Sequence, residues 1–441
     1  MKLWRCAKRD CGVLLHTYLN DEFKCFSGKK VNHTHLPNPA AIEIRDAKEK
    51  MRQRAEKELA PLQEIAEQEI RNGLLSGDAL ANLPNIFEIG WGLGHIRRKQ
   101  IPPIPNSASF IIPDSYTKDH LGANTLLLND SENPQFKVDS SDGIRPSGRV
   151  LMWSSDIQLR LLFNSERLHM DSTFSTSPPH FEQVFIIQSI HHGTCVPAVY
   201  AFLPGRKAQT YLYLFNVLFN QAKKFNQELD PVNIMTDFES GLIKAISIGF
   251  SERTTQKGCF FHFCQSIYRH VQWLGLSSSY INLMIRNVIK QAMALALVPP
   301  SCVQVLFSEL GEELTDDERE EISGLLKYID RQWMRQISTW NVYELPDRTN
   351  NYSEGYNNRF KERLHKTHSN IWIFMDSIRH ETNTIHDLIQ QIHSGMPPRT
   401  KRSQTRTAQQ RMTELCNRFN QNEITMRDLL RGLSFYVANQ K

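Results

Sequence analysis

The chain has 441 residues, of which 40% are hydrophobic, and it carries a formal net charge of +5. This length exceeds what a single hydrophobic core supports, so the sequence predicts two or three domains and excludes a largely disordered chain, while the mild excess of positive charge is compatible with a nucleic-acid partner. No apolar run approaches the roughly 20 residues that span a bilayer and the first residues lack the pattern of a secretory signal, so we expect an intracellular protein without a membrane partner.

Residues 1–36 are predicted to form a small β unit. The segments 13–19 and 23–26 have the composition of strands, and Asn20-Asp21 between them is a hairpin signal. A unit of this size is too small to fold around its own hydrophobic core and usually needs a staple such as a bound metal ion.

Cysteine and histidine residues in this unit have the spacing of zinc ligands. Thiols stay reduced inside cells, so the eight cysteines are expected to be free or bound to metal. Two cysteines and two histidines form a plausible set for a structural Zn²⁺, namely Cys6, Cys11, His33 and His35. Cys25 is an alternative for one ligand, and a chance cluster of thiols and imidazoles is the alternative interpretation of the whole set.

Residues 40–100 are predicted to be helical. The pattern is strongly charged up to about residue 72, and Pro61 divides it into two helices. A further helical segment at 74–98 ends in the basic run Arg97-Arg98-Lys99, which suits DNA-backbone contact or nuclear import but is equally typical of a solvated surface. The proline-rich segment 101–108 predicts a domain boundary.

Strands and helices alternate from about residue 109 to 262. Three apolar runs at 167–174, 183–192 and 196–204 predict an antiparallel meander. Further along the chain we expect a helix, a strand, a helix and a last strand, at 210–225, 232–238, 239–250 and 257–263 respectively. This order predicts an α/β fold, with a mixed sheet and helices on its faces, and it matches the ribonuclease H fold.

The rest of the chain is predicted to be helical. Residues 264–345 are too long for a simple connection and indicate a helical insertion within a domain that spans 109–393. Residues 396–441 are interpreted as a basic linker followed by terminal helices. The basic side chains of this linker region are Arg399, Lys401, Arg402, Arg406 and Arg411.

Three acidic residues are candidates for a metal site. Asp171 lies within a predicted strand, Asp237 follows a predicted buried strand, and Glu354 begins a predicted helix. Each has an ordinary alternative: a strand-end turn for Asp171, a helix N-cap for Asp237, and a capping box with Asn351 for Glu354. Glu239 is the nearby competitor for a catalytic role.

The three acids make more sense together than apart. Two acids on adjacent strands and a third on a later helix converge at one end of a ribonuclease H sheet, where they would repel one another without cations. Mg²⁺ or Mn²⁺ prefers carboxylate oxygens, and two such ions about 4 Å apart can activate a nucleophile and stabilise a leaving 3′-oxygen.

The segments around these acids resemble the Mutator-like (MULE) transposases. RLHMDSTFST with Asp171, NIMTDFESGLIKAI with Asp237 and RTNNYSEGYNNRF with Glu354 resemble the three acidic motifs of that family in the expected order. The resemblance covers roughly residues 100–390. It implies that the three acids are the metal-binding catalytic residues of a DDE-type transposase, which nicks transposon ends and joins the 3′-hydroxyl to target DNA.

Cys259 and His262 are similar to the Cys-x-x-His element that follows the second acid in this family. A role in positioning DNA is one interpretation. The other, slightly favoured, is a buried cysteine with a hydrogen-bonded histidine, since no second ligand pair is visible and Cys264 on the same predicted strand would not reach.

Trp4-Arg5-Cys6 and His33-Thr34-His35 resemble the FLYWCH zinc finger, which accompanies such transposases. The aromatic strands that precede the Trp-x-Cys element in that family are missing, so we interpret residues 1–36 as a partial, N-terminally truncated finger. The resemblances together imply a nuclear protein that acts on DNA, as a homo-oligomer. A domesticated DNA-binding protein or transcription regulator without catalysis is the alternative, and an ordinary ribonuclease H-type nuclease is a weaker one.

Overall fold

The computed structural model describes the chain except residues 7, 9, 59, 138–142, 175, 192, 365–369, 398–402 and 438–441. The predicted basic residues Arg399, Lys401 and Arg402 therefore lie outside the described residues. The chain divides into two compact units, Met1–Pro103 and Ile104–Lys441. No helix in the described ranges is long and apolar enough to cross a membrane.

The first unit begins with a three-stranded antiparallel sheet, which comprises β1 (Lys2–Arg5), β2 (Leu14–Thr17) and β3 (Phe23–Phe26). The predicted hairpin joins β2 to β3, and Asp21 adopts a positive φ of 69° in its turn. Asparagine and aspartate tolerate this left-handed conformation better than other residues with a Cβ atom, which explains the turn at this point.

Four helices follow in the same unit: α1 (Pro39–Lys57), α2 (Leu62–Asn72), α3 (Gly77–Asn82) and α4 (Ile86–Gln100). The predicted division at Pro61 is confirmed, since this proline precedes the first residue of α2. The helices enclose a small core that includes Met51, Ile65 and Leu93.

The second unit is built on a seven-stranded mixed sheet in the order β10-β9-β6-β7-β8-β5-β4. Its strands are β4 (Leu127–Asp130), β5 (Leu151–Trp153), β6 (Arg167–Thr173), β7 (Gln183–His191), β8 (Thr194–Leu203), β9 (Asn233–Thr236) and β10 (Thr255–Gly258). The predicted meander β6-β7-β8 is antiparallel, as expected, whereas β9 and β10 run parallel to β6. The last two strands of this order, β5 and β4, were not predicted, because each is too short to show a pattern.

Helices cover both faces of this sheet. On one face lie α6 (Asp156–Phe163), α7 (Ala208–Lys224) and α8 (Ser240–Gly249), after the short α5 (Asp114–Thr117). The central strands are buried on both sides, as expected for a sheet between two layers of helices.

The remaining helices form the insertion and the C-terminal part. They are α9 (Phe260–Trp273), α10 (Leu283–Ala294), α11 (Pro300–Ser308), α12 (Asp316–Gln332), α13 (Ile337–Trp340), α14 (Asn351–Leu364), α15 (Ile371–His393), α16 (Ser403–Asn420) and α17 (Met426–Ser434). Short 3-10 helices occur at Ser279–Ile281, Leu295–Leu297 and Met334–Gln336. Helices α14 and α15 pack on the second sheet face, where Phe374 meets Phe202 with ring centroids 5.0 Å apart.

The C-terminal helices belong to the core of the insertion. Leu429, Leu430 and Leu433 of α17 are buried in the same cluster as the helices of the insertion. Arg427 of α17 also lies 2.7 Å from carboxylate oxygens of Glu309 and Glu312. The acidic stretch of the insertion is thus paired with the C-terminal helix, a contact across more than 100 residues that sequence periodicity does not reveal.

The predicted strand at 257–263 is wrong over its second half. The strand ends at Gly258, and helix α9 starts at Phe260. The aromatic run Phe260-Phe261 suits a strand by composition, but Phe263, Ile267 and Val271 recur at helical spacing and are buried in the insertion core, so tertiary burial decides for a helix.

Candidate functional site

Asp171 and Asp237 lie on neighbouring parallel strands of the large sheet. Strands β6 and β9 pair with Leu168 opposite Ile234 and His169 opposite Met235, and two further steps along both strands lead to Asp171 and Asp237. Asp237 directly follows β9, at the carboxyl edge where open α/β sheets collect functional groups. The strand order therefore brings two acids together that are 66 positions apart in the chain.

Cys259 attaches the start of helix α14 to this edge. Its backbone nitrogen donates to Thr236 O, and its buried sulfur accepts a hydrogen bond from Asn350 N at 3.2 Å. Helix α14 begins one residue later, at Asn351. Because Asn351 is the first helical residue, the alternative interpretation of Asn351 as an N-cap is wrong. Cys259 thus places the helix that carries Glu354 beside the two aspartates.

His262 bridges the second and third acids. Its Nδ1 lies 2.8 Å from Asp237 Oδ1, and its Nε2 lies 3.7 Å from Glu354 Oε1. The contact between Nδ1 and Oδ1 does not have hydrogen-bond geometry, and both atoms are buried without a hydrogen-bond partner. The favoured interpretation of His262 as a hydrogen-bonded structural histidine understated its position, which is at the centre of the acidic cluster.

The electrostatics of the cluster reflect burial and crowding. Burial, followed by the charge of Asp237, raises the pKa of Asp171 to about 7. Burial and Asp237 also raise the pKa of Glu354, against the opposing effect of His262. Burial alone would lower the pKa of His262, but its contacts with Asp237 and Cys259 raise it to about 10. Three acids with one cation among them form a site that favours additional positive charge.

Asn357 is a member of this site that the sequence did not single out. Its Nδ2 donates to Asp171 Oδ2 at 2.6 Å, while the other oxygen of Asp171 accepts from Ser172 N at 2.9 Å. Asn357 lies three residues after Glu354 on α14, and residues at this spacing share one helix face. The spacing from Glu354 was the signal in the sequence that could have identified Asn357. An asparagine within a run of polar residues does not stand out, however.

Glu239, the competitor, serves a different local structure. It occupies the N-cap position of α8, so the alternative of Asp237 as this cap is wrong. Tyr211 donates to Glu239 Oε1 at 2.6 Å and receives a hydrogen bond from Gln183. Burial raises the pKa of Glu239, and its carboxyl group is held by the tyrosine rather than by the acidic cluster.

Two glycines allow the chain to approach closely around Asp237. A Cβ atom at Gly258 would collide with the ring of Phe238, which follows Asp237 directly. A Cβ atom at Gly241 would collide with the carbonyl oxygen of Arg206 in the loop before α7. Both glycines therefore let the segment around Asp237 sit tightly between neighbouring loops. Cys264, predicted on a strand, lies buried on α9 instead.

A second cluster forms in the N-terminal unit. Four potential metal-binding atoms lie within 4.8 Å of one another, one from each of the residues Cys6, Cys11, His33 and His35. The Cys6 sulfur is 3.1 Å from His35 Nε2, and the Cys11 sulfur is 3.3 Å from His33 Nδ1. A tetrahedral zinc ion with bonds of about 2.0–2.3 Å spaces its ligand atoms by about 3.3–3.8 Å, close to these values.

The surroundings of this cluster distinguish it from other thiols in the chain. Burial would raise the pKa of Cys11, but backbone hydrogen bonds from Thr34 and Val13 and the contacts with Cys6 and His33 lower it to about 6. Cys25 is exposed on β3 and does not belong to the cluster. Like Phe23, it lies on the outward-facing part of the sheet.

Arg97, in the predicted basic patch, has a structural role. Its guanidinium donates to the carbonyl oxygens of Ala55, Glu58 and Ala60, at and after the carboxyl end of α1. These carbonyls lack helical partners, so the arginine satisfies them and offsets the negative end of the helix dipole. Its charge is therefore engaged within the unit.

Comparison with known protein families shows that residues 167–266 match the MULE transposase domain. The matched segment runs from the start of β6 to the first half of α9 and includes Asp171, Asp237, Cys259 and His262. No curated protein matches the chain. The match points to an origin in a family of transposases and to DNA as the partner.

Proposed function

We propose that this protein is a DDE-type DNA transposase of the Mutator-like kind, in which Asp171, Asp237 and Glu354 hold the catalytic divalent cations. The observation that carries the proposal is that His262 contacts both Asp237 and Glu354, while Asp171 lies on the strand next to Asp237. Asp171, Asp237 and His262 lie within the segment that matches the family, and Glu354 lies beyond it. The order of the five strands β10-β9-β6-β7-β8, with three antiparallel strands and two parallel ones, supports a ribonuclease H-like core.

The donor set fits Mg²⁺ or Mn²⁺. Carboxylate oxygens are the preferred ligands of these hard cations. Asp237 and Glu354 both lie beside His262, and Asp171 lies on the strand next to Asp237. Asp237 Oδ1 lies 2.8 Å from His262 Nδ1 but is buried without a hydrogen bond, so it keeps its lone pairs for a cation. The raised pKa values of Asp171 and Glu354 indicate repulsion and burial that a bound cation would relieve.

Each acid is held by a different part of the fold. Asp171 is fixed on a central strand by two hydrogen bonds, and Glu354 is carried by α14. Asp237 is placed by the close approaches that Gly241 of α8 and Gly258 of β10 allow. When bound, the cations supply an activated nucleophile and stabilise the charge that develops on the leaving 3′-oxygen. The protein's contribution is to keep three carboxylates in one arrangement that cannot rearrange when DNA enters.

The N-terminal unit is proposed to be a zinc-stapled module that contacts DNA. Two thiols and two imidazoles at tetrahedral spacing suit Zn²⁺, and the lowered pKa of Cys11 favours the thiolate that zinc binds. Trp4, Phe23 and Phe26 are partly exposed on the small sheet, among lysines that suit phosphate contact. We further propose that the protein acts in the nucleus, as a homo-oligomer on transposon ends.

An in vitro cleavage assay tests the catalytic proposal. DNA from the two flanks of the gene, where a transposon would carry its terminal inverted repeats, is incubated with Mg²⁺ and with the purified protein or the variants Asp171→Asn, Asp237→Asn and Glu354→Gln. Each variant keeps the size of its side chain but removes a charge, so we expect cleavage to fall by at least about 10³-fold. Binding to the same DNA, measured by fluorescence anisotropy, should change little.

Glu239→Gln is the matched control, since it removes the neighbouring carboxylate that Tyr211 holds. Its cleavage rate should stay within a few-fold of the original protein. Cleavage that persists in any of the three variants would remove that acid from the mechanism. Tight DNA binding with no Mg²⁺-dependent cleavage by the unaltered protein would favour a DNA-binding protein without catalysis.

A further inference from the structure

We propose that Asn357 is a positioning residue of the acidic site, which fixes the carboxylate of Asp171 in the orientation that binds the divalent cation. The inference rests on the proposed function and extends it to a residue outside the three acids. It concerns the contact between helix α14 and the central strand β6.

The contact joins the third acid to the first through the helix. Glu354 and Asn357 are three residues apart and lie on one face of α14. Glu354 approaches His262 beside Asp237, and Asn357 donates to Asp171 at 2.6 Å. One turn of helix α14 therefore lies against the residues around both strand aspartates. The hydrogen bond from Asn357 to Asp171, together with packing, sets how far Glu354 lies from Asp171.

The hydrogen bond completes the fixation of Asp171. One carboxylate oxygen accepts from the backbone of Ser172, and the other accepts from Asn357. With both oxygens held, rotation about the bond to the carboxyl group is blocked, and the remaining lone pairs keep one direction. Asp171 is only 7% exposed, which limits the access of water that could replace the amide donor.

The orientation of the Asn357 amide follows from chemistry. The opposite orientation would turn its carbonyl oxygen towards a carboxylate and place two acceptors in contact. In the observed orientation Oδ1 is buried without a hydrogen-bond partner. A leucine of similar size would avoid the cost of burying this unpaired oxygen. The hydrogen bond that the amide donates to Asp171 therefore explains why an asparagine lies here.

Mn²⁺ binding tests the proposal without relying on cleavage. The dissociation constant of Mn²⁺ is measured by electron paramagnetic resonance on the full-length, zinc-loaded protein, for the original sequence, Asp171→Asn, Asn357→Leu and Asn358→Leu. Asn358 is the matched control, because it is the neighbouring asparagine on α14 and is exposed. Residues that orient metal ligands typically contribute about 10- to 100-fold in affinity or activity.

We expect Asn357→Leu to raise the dissociation constant of Mn²⁺ by about 10-fold and to lower kcat for cleavage by a similar factor, with KM for DNA unchanged. Asn358→Leu should leave all three values within twofold. If Asn357→Leu does not fold, as judged by circular dichroism, Asn357→Gln carries the comparison, because it moves the amide by one methylene and should weaken Mn²⁺ binding by several-fold.

The outcomes separate the two proposals. If the original protein and Asp171→Asn bind Mn²⁺ equally, the acidic metal site and the inference are both wrong. If Asp171→Asn loses Mn²⁺ binding while the Asn357 variant retains it, the site stands and the role of Asn357 is overturned. Equal losses in the Asn357 and Asn358 variants would likewise overturn it, since they would indicate a general effect on the helix.

Discussion

The two candidate metal sites differ in what holds their ligands in place. The candidate zinc ligands Cys6 and His35 lie beside the small N-terminal sheet. Its three strands have four residues each, and its aromatic side chains are largely exposed. Asp171 and Asp237 instead belong to a seven-stranded sheet that is buried on both faces. The first site is surrounded by little buried apolar surface, and the second lies at the edge of a sheet with a large apolar core.

Because of this difference, a metal ion would have a different role at each site. In the small sheet, the bonds to zinc would replace the missing apolar burial, so that folding and metal binding become one event. In the large sheet, the fold would hold the acids together despite their mutual repulsion. A bound cation would then supply chemistry and change the structure little.

Removal of zinc should unfold the small sheet and leave the large one intact. The free energy that links zinc binding to folding is on the order of 10 kcal/mol in small zinc modules. After chelation of the full-length protein, hydrogen exchange followed by mass spectrometry should show loss of protection in β2 and β3, while β6, β7 and β8 keep theirs.

Cysteine variants sharpen this prediction. Cys11→Ser should abolish stoichiometric zinc, measured by plasma mass spectrometry, and should reproduce the effect of the chelator. Cys25→Ser is the matched control, because Cys25 is exposed on β3 and outside the ligand cluster. Full zinc content in Cys11→Ser, or protection of β2 and β3 that survives chelation, would contradict the role of the metal as a staple.

The large unit should depend instead on its own buried contacts, of which Arg149 and Asp130 form the clearest pair. The two side chains are 3% and 1% exposed and make two hydrogen bonds of 2.6 and 2.9 Å. Arg149→Met leaves the carboxylate of Asp130 buried without its partner, so the free energy of unfolding, measured with urea, should fall by about 3–5 kcal/mol.

Arg418→Met is the comparison for an exposed pair. Arg418 and Glu423 are about half exposed at 3.3 Å, and their loss should cost less than about 1 kcal/mol. Equal effects of the two arginine variants would show that burial does not determine the strength of these pairs. Neither variant should change the zinc content.

The sequence predicts the large fold where single segments carry strong patterns. The meander, helix α7 and strand β9 are each long or apolar enough to show their periodicity, and their order indicates the mixed sheet. Strands β4 and β5 have only four and three residues. Their place in the sheet depends on pairing of β5 with β8 and of β4 with β5, which no local pattern encodes.

The candidate site shows the same limit. The acids were predictable because their residue type is unusual in strands and because their motifs resemble a known family. The positions of His262 and Asn357 were not, since they depend on helix α9 starting at Phe260 and on the register of α14 against β6. Those are properties of packing between segments up to 186 positions apart, and an asparagine or histidine alone carries no signal for them.

Acid should weaken the large unit through His169. This imidazole is 3% exposed, and burial lowers its pKa to about 4, so the folded protein binds its proton only well below the pH at which the unfolded chain does. The unfolded state therefore binds more protons between pH 6.5 and 4, and stability falls as the pH falls through this range. The loss should be about 3 kcal/mol, and above pH 6.5 the contribution is constant.

Urea unfolding at a series of pH values measures this loss, with His169→Gln as the variant that lacks the titrating group. The variant should lose about 3 kcal/mol less than the original protein between pH 6.5 and 4. His393→Gln, which replaces an exposed imidazole, should not differ from the original. Identical acid sensitivity in His169→Gln would contradict the assignment.

Mg²⁺ should stabilise the large unit by the smallest amount. At a free concentration of ten times its dissociation constant, a ligand of the folded state adds about 1.4 kcal/mol, which is a shift of a few degrees in the melting temperature. The effect should be larger above pH 7 than at pH 6, because burial and Asp237 raise the pKa of Asp171 to about 7 and a protonated carboxyl group is a poor ligand. Asp237→Asn should remove most of it, and NaCl at equal ionic strength should not reproduce it. A Mg²⁺ effect as large as that of zinc on the small sheet would erase the contrast, because it would mean that the acids too depend on their metal to fold.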